Sequence, residues 1–261
     1  MSRPVQEFLD EALRITKEAD KQKIVLRLLG AAGIRYHCPK FATLHDALGR
    51  RFTDLDFAAY NSQGKAIRQL FIKLGYKYDR RLDMLHGNIR LMLESDRFHV
   101  DIFFDRLLMN HVIEFKGRLE QDYPTLNITD LFLEKMQIVN ITEKDIKDTI
   151  VMLREHEIAD REKEAINSKY LAEVLAKDWG FYYTVTTNLS RLVQEFMPNY
   201  ELLTEEDRND VVRKVETIRK RIEDQPKTFS WKIRAKVGPS KKWYNEVETL
   251  HAAQKTSEAP S

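Results

Sequence analysis

The chain has one cysteine, Cys38, in 261 residues. A lone thiol excludes an intramolecular disulfide framework and suits a reducing, cytoplasmic setting. Long apolar runs are missing too. No stretch approaches the ~20 residues that a bilayer span needs, which argues against a membrane partner. The opening MSRPVQEFLDEALRITKEAD is charged throughout and lacks the unbroken apolar stretch of a secretory signal. Neither sign of charge is in excess: 43 basic residues face 41 acidic ones. That balance offers no case for attraction to nucleic acid or membrane by the surface as a whole. Two common phosphate-binding signatures are also absent, since no glycine-rich loop ends in Gly-Lys-Ser/Thr and no G-x-G-x-x-G occurs. No internal repeat is present.

What is there reads as a globular α/β (α+β) protein, long enough for one large core or two small ones. Val5, Phe8, Leu9, Ala12, Leu13 and Ile15 recur at helical spacing. KIVLRLLGAAGIRYHC is an apolar run broken by Gly30 and Gly33, and PKFATLHDALGR reads as a loop between Pro39 and Gly49. FTDLDFAAY predicts a strand, and NSQGKAIRQLFIKLGY a turn and a helix ended by Gly75. NIRLMLES and RFHVDIFFDRL predict a hairpin. Strand, helix, strand, strand in this order implies a mixed sheet with flanking helices. From about Pro124 the periodicity turns helical, with Thr129 or Asp130 capping one helix and Thr142 the next. The expected division is an α/β core over 1–122, an α-helical region over 123–226, and a basic, aromatic segment with a disordered tail over 227–261.

Asp54 and Asp56 share one face of their strand, with Leu55 and Phe57 on the other. Two like charges so placed repel unless a cation lies between them. Asp101 follows in an apolar strand, on the face of His99, Phe103 and Asp105, where an acid is costly to bury unless paired or metal-bound. Three such carboxylates form a hard oxygen site suited to Mg²⁺ or Mn²⁺. The small residues Gly30, Ala31, Ala32 and Gly33 allow a phosphate to approach the backbone, or serve only tight packing.

Taken in order, these elements resemble the nucleotidyltransferase superfamily, and within it the AbiEii/AbiGii-toxin-like branch. The resemblance rests on a small-residue turn, read as following a helix, at Leu29 to Ala32 and on Arg51, Thr53, Asp54, Asp56 and Phe57. Further on it rests on the h-h-D-h strand around Asp101, on Lys135, and on Lys144, Asp145 and Asp148. It covers roughly residues 23–153. It implies transfer of a nucleoside monophosphate from an NTP to an RNA or protein acceptor, with release of pyrophosphate. It further implies that Asp54, Asp56 and Asp101 hold Mg²⁺ or Mn²⁺, with Asp101 also helping to deprotonate the attacking hydroxyl. Gly30 and Ala31 would cradle phosphates, and Thr53 and Lys135 would complete the NTP contacts. A role as the toxin of a toxin–antitoxin pair, with an antitoxin protein as partner, follows from the branch alone. Ala31 departs from the pattern, because a hydroxyl to phosphate is unavailable there. Asp105 is a rival for Asp101. An inactive member that binds nucleotide or a partner protein is the competing expectation. The residues around D-x-D argue against a haloacid-dehalogenase phosphatase, and the chain is short for a nucleotide-sugar glycosyltransferase.

His37 and Cys38 lack spaced partners for zinc and read as structural. YLAEVLAKDWGFYYTVTTNLSRL has the spacing of a helix-turn-helix but few basic residues, so it reads as part of a helical bundle. Lys227 to Tyr244 holds six basic residues and no acid, with Phe229, Trp231, Trp243 and Tyr244 interleaved. That composition fits either an RNA strand stacked on the aromatics or a tail pinned by its tryptophans.

Overall fold

The computed structural model describes residues 4–247. The tail read as disordered from His251 onward lies outside the described residues. The first half runs α1 (Val5–Lys21), β1 (Leu26–Leu29), α2 (Gly30–His37), α3 (Ala42–Ala47), β2 (Leu55–Ala59), α4 (Gly64–Lys73) and α5 (Arg80–His86). The strands β3 (Arg90–Glu94), β4 (His99–Phe104), β5 (Arg106–Leu108) and β6 (Val112–Glu114) follow. Then come α6 (Ile128–Met136), α7 (Glu143–Glu155), β7 (Glu157–Ala159), β8 (Ala165–Asn167), α8 (Ser168–Leu175), α9 (Trp179–Arg191), α10 (Glu205–Asp224) and α11 (Phe229–Val237).

The central sheet has the order β1-β2-β4-β3 and is mixed: β2 and β4 are parallel, while the two outer pairings are antiparallel. Strand alternation gives it two different faces. Leu55, Phe57, Val100, Ile102 and Phe104 point to one side, where they pack with Phe8, Ala12 and Ile15 of α1 and Ile67 and Phe71 of α4. Each of the Leu, Ile, Val and Phe side chains among them, fully buried, contributes about 1.5–3 kcal/mol. Ala58, Phe103 and Leu29 point to the other side and join Leu131 and Phe132 of α6, Ile150 of α7 and Val215 of α10 in a second apolar cluster. Asp56 lies on this second face, so the helical region that covers the face also walls the carboxylates.

Three local expectations are corrected. PKFATLHDALGR is not a loop throughout: Ala42–Ala47 is helical and buries His45. The small-residue turn follows a short strand, β1, which hands over directly to α2. The cap of α6 is Asn127, whose side chain accepts from the amides of Thr129 and Asp130. Thr129 instead accepts from the Asn167 amide, and Asp130 pairs with Arg118 at 2.9 Å. Thr142 caps α7 in a capping box with Asp145.

Within Lys227 to Tyr244 the tryptophans turn inward. Trp231 packs edge-on to Tyr182, and Trp243 packs on Tyr183 and donates to Thr184 Oγ1 at 3.0 Å. Thr184 Oγ1 lies 2.8 Å from Nε2 of the buried His111. Thr184 Oγ1 thus bridges the two rings, accepting from the Trp243 indole and lying within hydrogen-bond reach of His111 Nε2. Burial lowers the His111 pKa from 6.5 to about 4. For a folded value held down, the contribution is complete above the ordinary 6.5 and is lost as pH falls through about 4. The emission of Trp243, taken as wild type minus Trp243→Phe, is expected to shift to the red across that window. His111→Gln should flatten the shift, and an unchanged difference spectrum down to about pH 4 would contradict the linkage.

Candidate functional site: a carboxylate cleft beside a buried lysine

A cleft of about 390 Å³ opens where the chain enters β2. Its lining includes Ala31 from α2, Arg50, Arg51, Thr53 and Asp54 from the segment before β2, and Asp56 from the strand itself. Lys135 comes from α6, and Lys144, Asp145 and Lys147 from the first turns of α7. Asp54, Asp56, Thr53, Ala31 and Lys135, expected from sequence to act together, therefore share one cleft. Asp101 is the direct register partner of Asp56 on the adjacent strand β4. Asp105 does not compete for this place. It follows the far end of β4, and its carboxylate accepts from the Asn61 amide.

The carboxylates differ in what surrounds them. Asp54 is exposed and accepts a hydrogen bond from Thr53 Oγ1 at 3.0 Å. Asp56 is partly buried, and among the described residues its carboxylate has neither a hydrogen bond nor an ion pair. Burial, reinforced by the like charges of Asp54, Asp101 and Glu134, holds its pKa well above the ordinary aspartate value, with Lys135 opposing. Asp101 is gripped by Arg90, with Nε at 3.1 Å and Nη2 at 2.7 Å from its two oxygens.

Gly30 owes its identity to Asp56. Its φ is +69°, and a Cβ there would collide with Asp56 Oδ2. Its amide donates to Glu134 Oε2 at 2.9 Å, so the donor assigned to phosphate by resemblance is already engaged by a carboxylate. Gly30→Ala is expected to destabilise the fold by about 1–3 kcal/mol in urea unfolding, through the left-handed backbone and the displaced carboxylate. Stability equal to wild type would show that Asp56 has room to move.

Lys135 is buried, its Nζ at 3.2 Å from Glu134, 3.4 Å from Asp148 and 3.9 Å from Asp145. Burial alone would favour the neutral amine, but Glu134, Asp148 and Asp145 outweigh it and keep the ammonium charged. Asp148, fully buried, also meets Arg50 Nε at 2.7 Å and His45 Nε2 at 2.8 Å. It therefore ties α7 to the segment before β2. Burial opposes its charge, yet Lys135, His45 and Arg50 hold its pKa well below the usual range.

Sequence reading missed Glu134, Arg50, Lys147 and Arg90. A signal existed for the first: every residue of α6 is buried, so the Glu-Lys pair within it had to find partners inside. Arg90 and Lys147 sit at ordinary surface spacing and gave no sign. His37 is structural as expected, its Nε2 at 3.0 Å from the Leu126 carbonyl oxygen, and Cys38 is buried.

A larger cleft of about 590 Å³ lies between α1 and the β3–β4 turn, but Glu11 there is already satisfied by Arg14 and Tyr76. Asp54 and Asp56 are unlike it in having no cation of their own among the described residues. Oxygen-only donors of this kind fit Mg²⁺ or Mn²⁺. Among the described residues no three His, Cys, Asp or Glu side chains are gathered as a ready metal cage. The pair Asp54 and Asp56 is accordingly the fitting element, with Asp101 engaged elsewhere by Arg90. No helix of the described residues is long and apolar enough to cross a membrane. No protein-family model matches the chain, and no curated protein matches it.

Proposed function

We propose that the cleft is the NTP site of a nucleotidyltransferase that moves a nucleoside monophosphate to an RNA or protein acceptor. One observation carries this reading: two adjacent carboxylates without a cation face a cleft whose other side chains include Lys135, Arg50, Arg51, Lys144 and Lys147. Acids alone would repel a polyphosphate, and bases alone would need no metal. The two together suit a metal–polyphosphate complex. A bound Mg²⁺ or Mn²⁺, held by Asp54 and Asp56, would neutralise charge on the polyphosphate. Lys144 and Lys147, on the rim, would take the outer phosphates, and Lys135 would fix the charge at the cleft floor. The acceptor hydroxyl oxygen would bond to the α-phosphorus as the bond to the pyrophosphate oxygen breaks. Asp101 would draw off the hydroxyl proton.

The pairing of Gly30 with Glu134 and of Asp101 with Arg90 favours a second reading, a protein of the same fold that binds nucleotide or a partner without turnover. Pyrophosphate release separates the two. With Mg²⁺, an NTP and total RNA or cell protein, the enzyme releases pyrophosphate in step with label transferred to the acceptor. Saturable NTP binding with no pyrophosphate from any of the four NTPs supports the second reading. The place of such an enzyme in a toxin–antitoxin pair is part of the proposal and rests on the branch that the sequence resembles.

A further inference from the structure

The Arg90–Asp101 pair is the feature that neither the motifs nor the cleft absorbs. It sits on the sheet face that carries Asp56. Arg90 lies on the edge strand β3, opposite Phe103 of β4, and its guanidinium stands over the Phe103 ring at 5.2 Å. From there it reaches along β4 and grips both oxygens of Asp101. Both side chains are mostly covered, at 20% and 17% exposure. A two-pronged guanidinium on a carboxylate in that setting is stronger and more directional than a rim ion pair.

The consequence concerns charge. Asp101 stands level with Asp56 across the two parallel strands. Of Asp54, Asp56 and Asp101, only Asp101 has its own cation among the described residues. We propose that Arg90 is a resident counter-cation, which a divalent ion must displace before Asp101 can join Asp54 and Asp56. Arg90 then sets the ion affinity of the site, as a positioning residue that acts through Asp101. This inference rests on the reading of Asp54 and Asp56 as the ion-binding pair. It adds that the third carboxylate is gated.

The test needs no turnover. Mn²⁺ binding to the full chain is measured from the loss of the free-ion signal in electron paramagnetic resonance. The chains compared are wild type, Arg90→Gln, Arg90→Lys, Asp101→Asn, Arg90→Gln/Asp101→Asn and Asp56→Asn. Glutamine keeps the stem over Phe103 and removes the charge, and circular dichroism checks each fold. Arg90→Gln is expected to bind Mn²⁺ about tenfold tighter than wild type, the equivalent of one charge-assisted bond released. Arg90→Lys should fall between them, since an ammonium cannot grip both oxygens. The gain should vanish in the double variant, because it passes through Asp101. Unchanged or weaker binding by Arg90→Gln, in a protein that loses Mn²⁺ on Asp56→Asn, overturns the gate and leaves Asp54 and Asp56 standing as the ion-binding pair. Binding by neither wild type nor Arg90→Gln overturns both.

Discussion

Asp56→Asn is expected to abolish nucleotidyl transfer while making the ion-free protein more stable. Asparagine has the same shape, so the strand and its contacts on the opposite face by Leu55 and Phe57 are untouched. What disappears is a partly buried charge that faces Asp54, Asp101 and Glu134 and has no cation of its own among the described residues. Relief of that repulsion should raise Tm by about 2–4 °C in buffer containing a chelator, the shift given by about 1 kcal/mol in a chain of this size. Transfer should fall by a factor of about 10²–10³ or more, the usual consequence of removing one member of a preorganised electrostatic site. The two effects have opposite signs, and that combination marks a functional carboxylate more clearly than lost activity alone. A variant that is both less stable and fully active would show that Asp56 serves the fold.

Asp148→Asn is expected to have the opposite effect on stability and unfold the protein easily. Asp148 is the common partner of Lys135, Arg50 and His45, in a place closed to water. Without its charge, two buried cations face each other with less to hold them, and such broken buried pairs lose about 3–5 kcal/mol. Urea midpoints should fall accordingly, at an unchanged slope. The pH dependence follows from the depressed pKa. Such a group contributes its full stability above the ordinary aspartate value of 3.8, and loses it as pH falls through the lower native value. The gap in stability between wild type and Asp148→Asn should therefore be constant down to about pH 5 and close in stronger acid. A gap that persists unchanged in acid would point to lost packing. Activity should fall too, since Lys135 and Arg50 would no longer be held at the cleft.

These two aspartates also show how far the sequence could be read. Alternation in FTDLDF put Asp56 on one face and Leu55 and Phe57 on the other, and β2 has that arrangement; Asp54, expected on the strand, instead lies just before it and reaches the same cleft. The hairpin of β3 and β4 and the mixed sheet were legible from apolar alternation and turn residues. Lys135 reached the cleft from a helix whose apolar pattern was plain. What was illegible depended on contacts distant in sequence. The short helix α3 exists between a proline and a glycine because His45 packs inward onto Asp148, 103 residues away. The three-residue strands β5 to β8 are held by their partners rather than by their own propensity. Arg90 looked like any strand arginine, and only the register of β3 on β4 brings it to Asp101. The inward turn of Trp231 and Trp243 likewise depends on the aromatic surface of α9.

The position of the label on the nucleotide decides whether this chain moves a nucleoside monophosphate. The full chain is incubated with Mg²⁺ or Mn²⁺ and each NTP, labelled at either the α- or the γ-phosphate, with total RNA and total cell protein as acceptors. The acceptor is expected to take up label from the α-phosphate alone, the γ-label to leave as pyrophosphate, and Asp54→Asn and Asp56→Asn to transfer none. Acceptor labelled from the γ-phosphate, or no transfer with any NTP, would contradict nucleotidyl transfer by this chain.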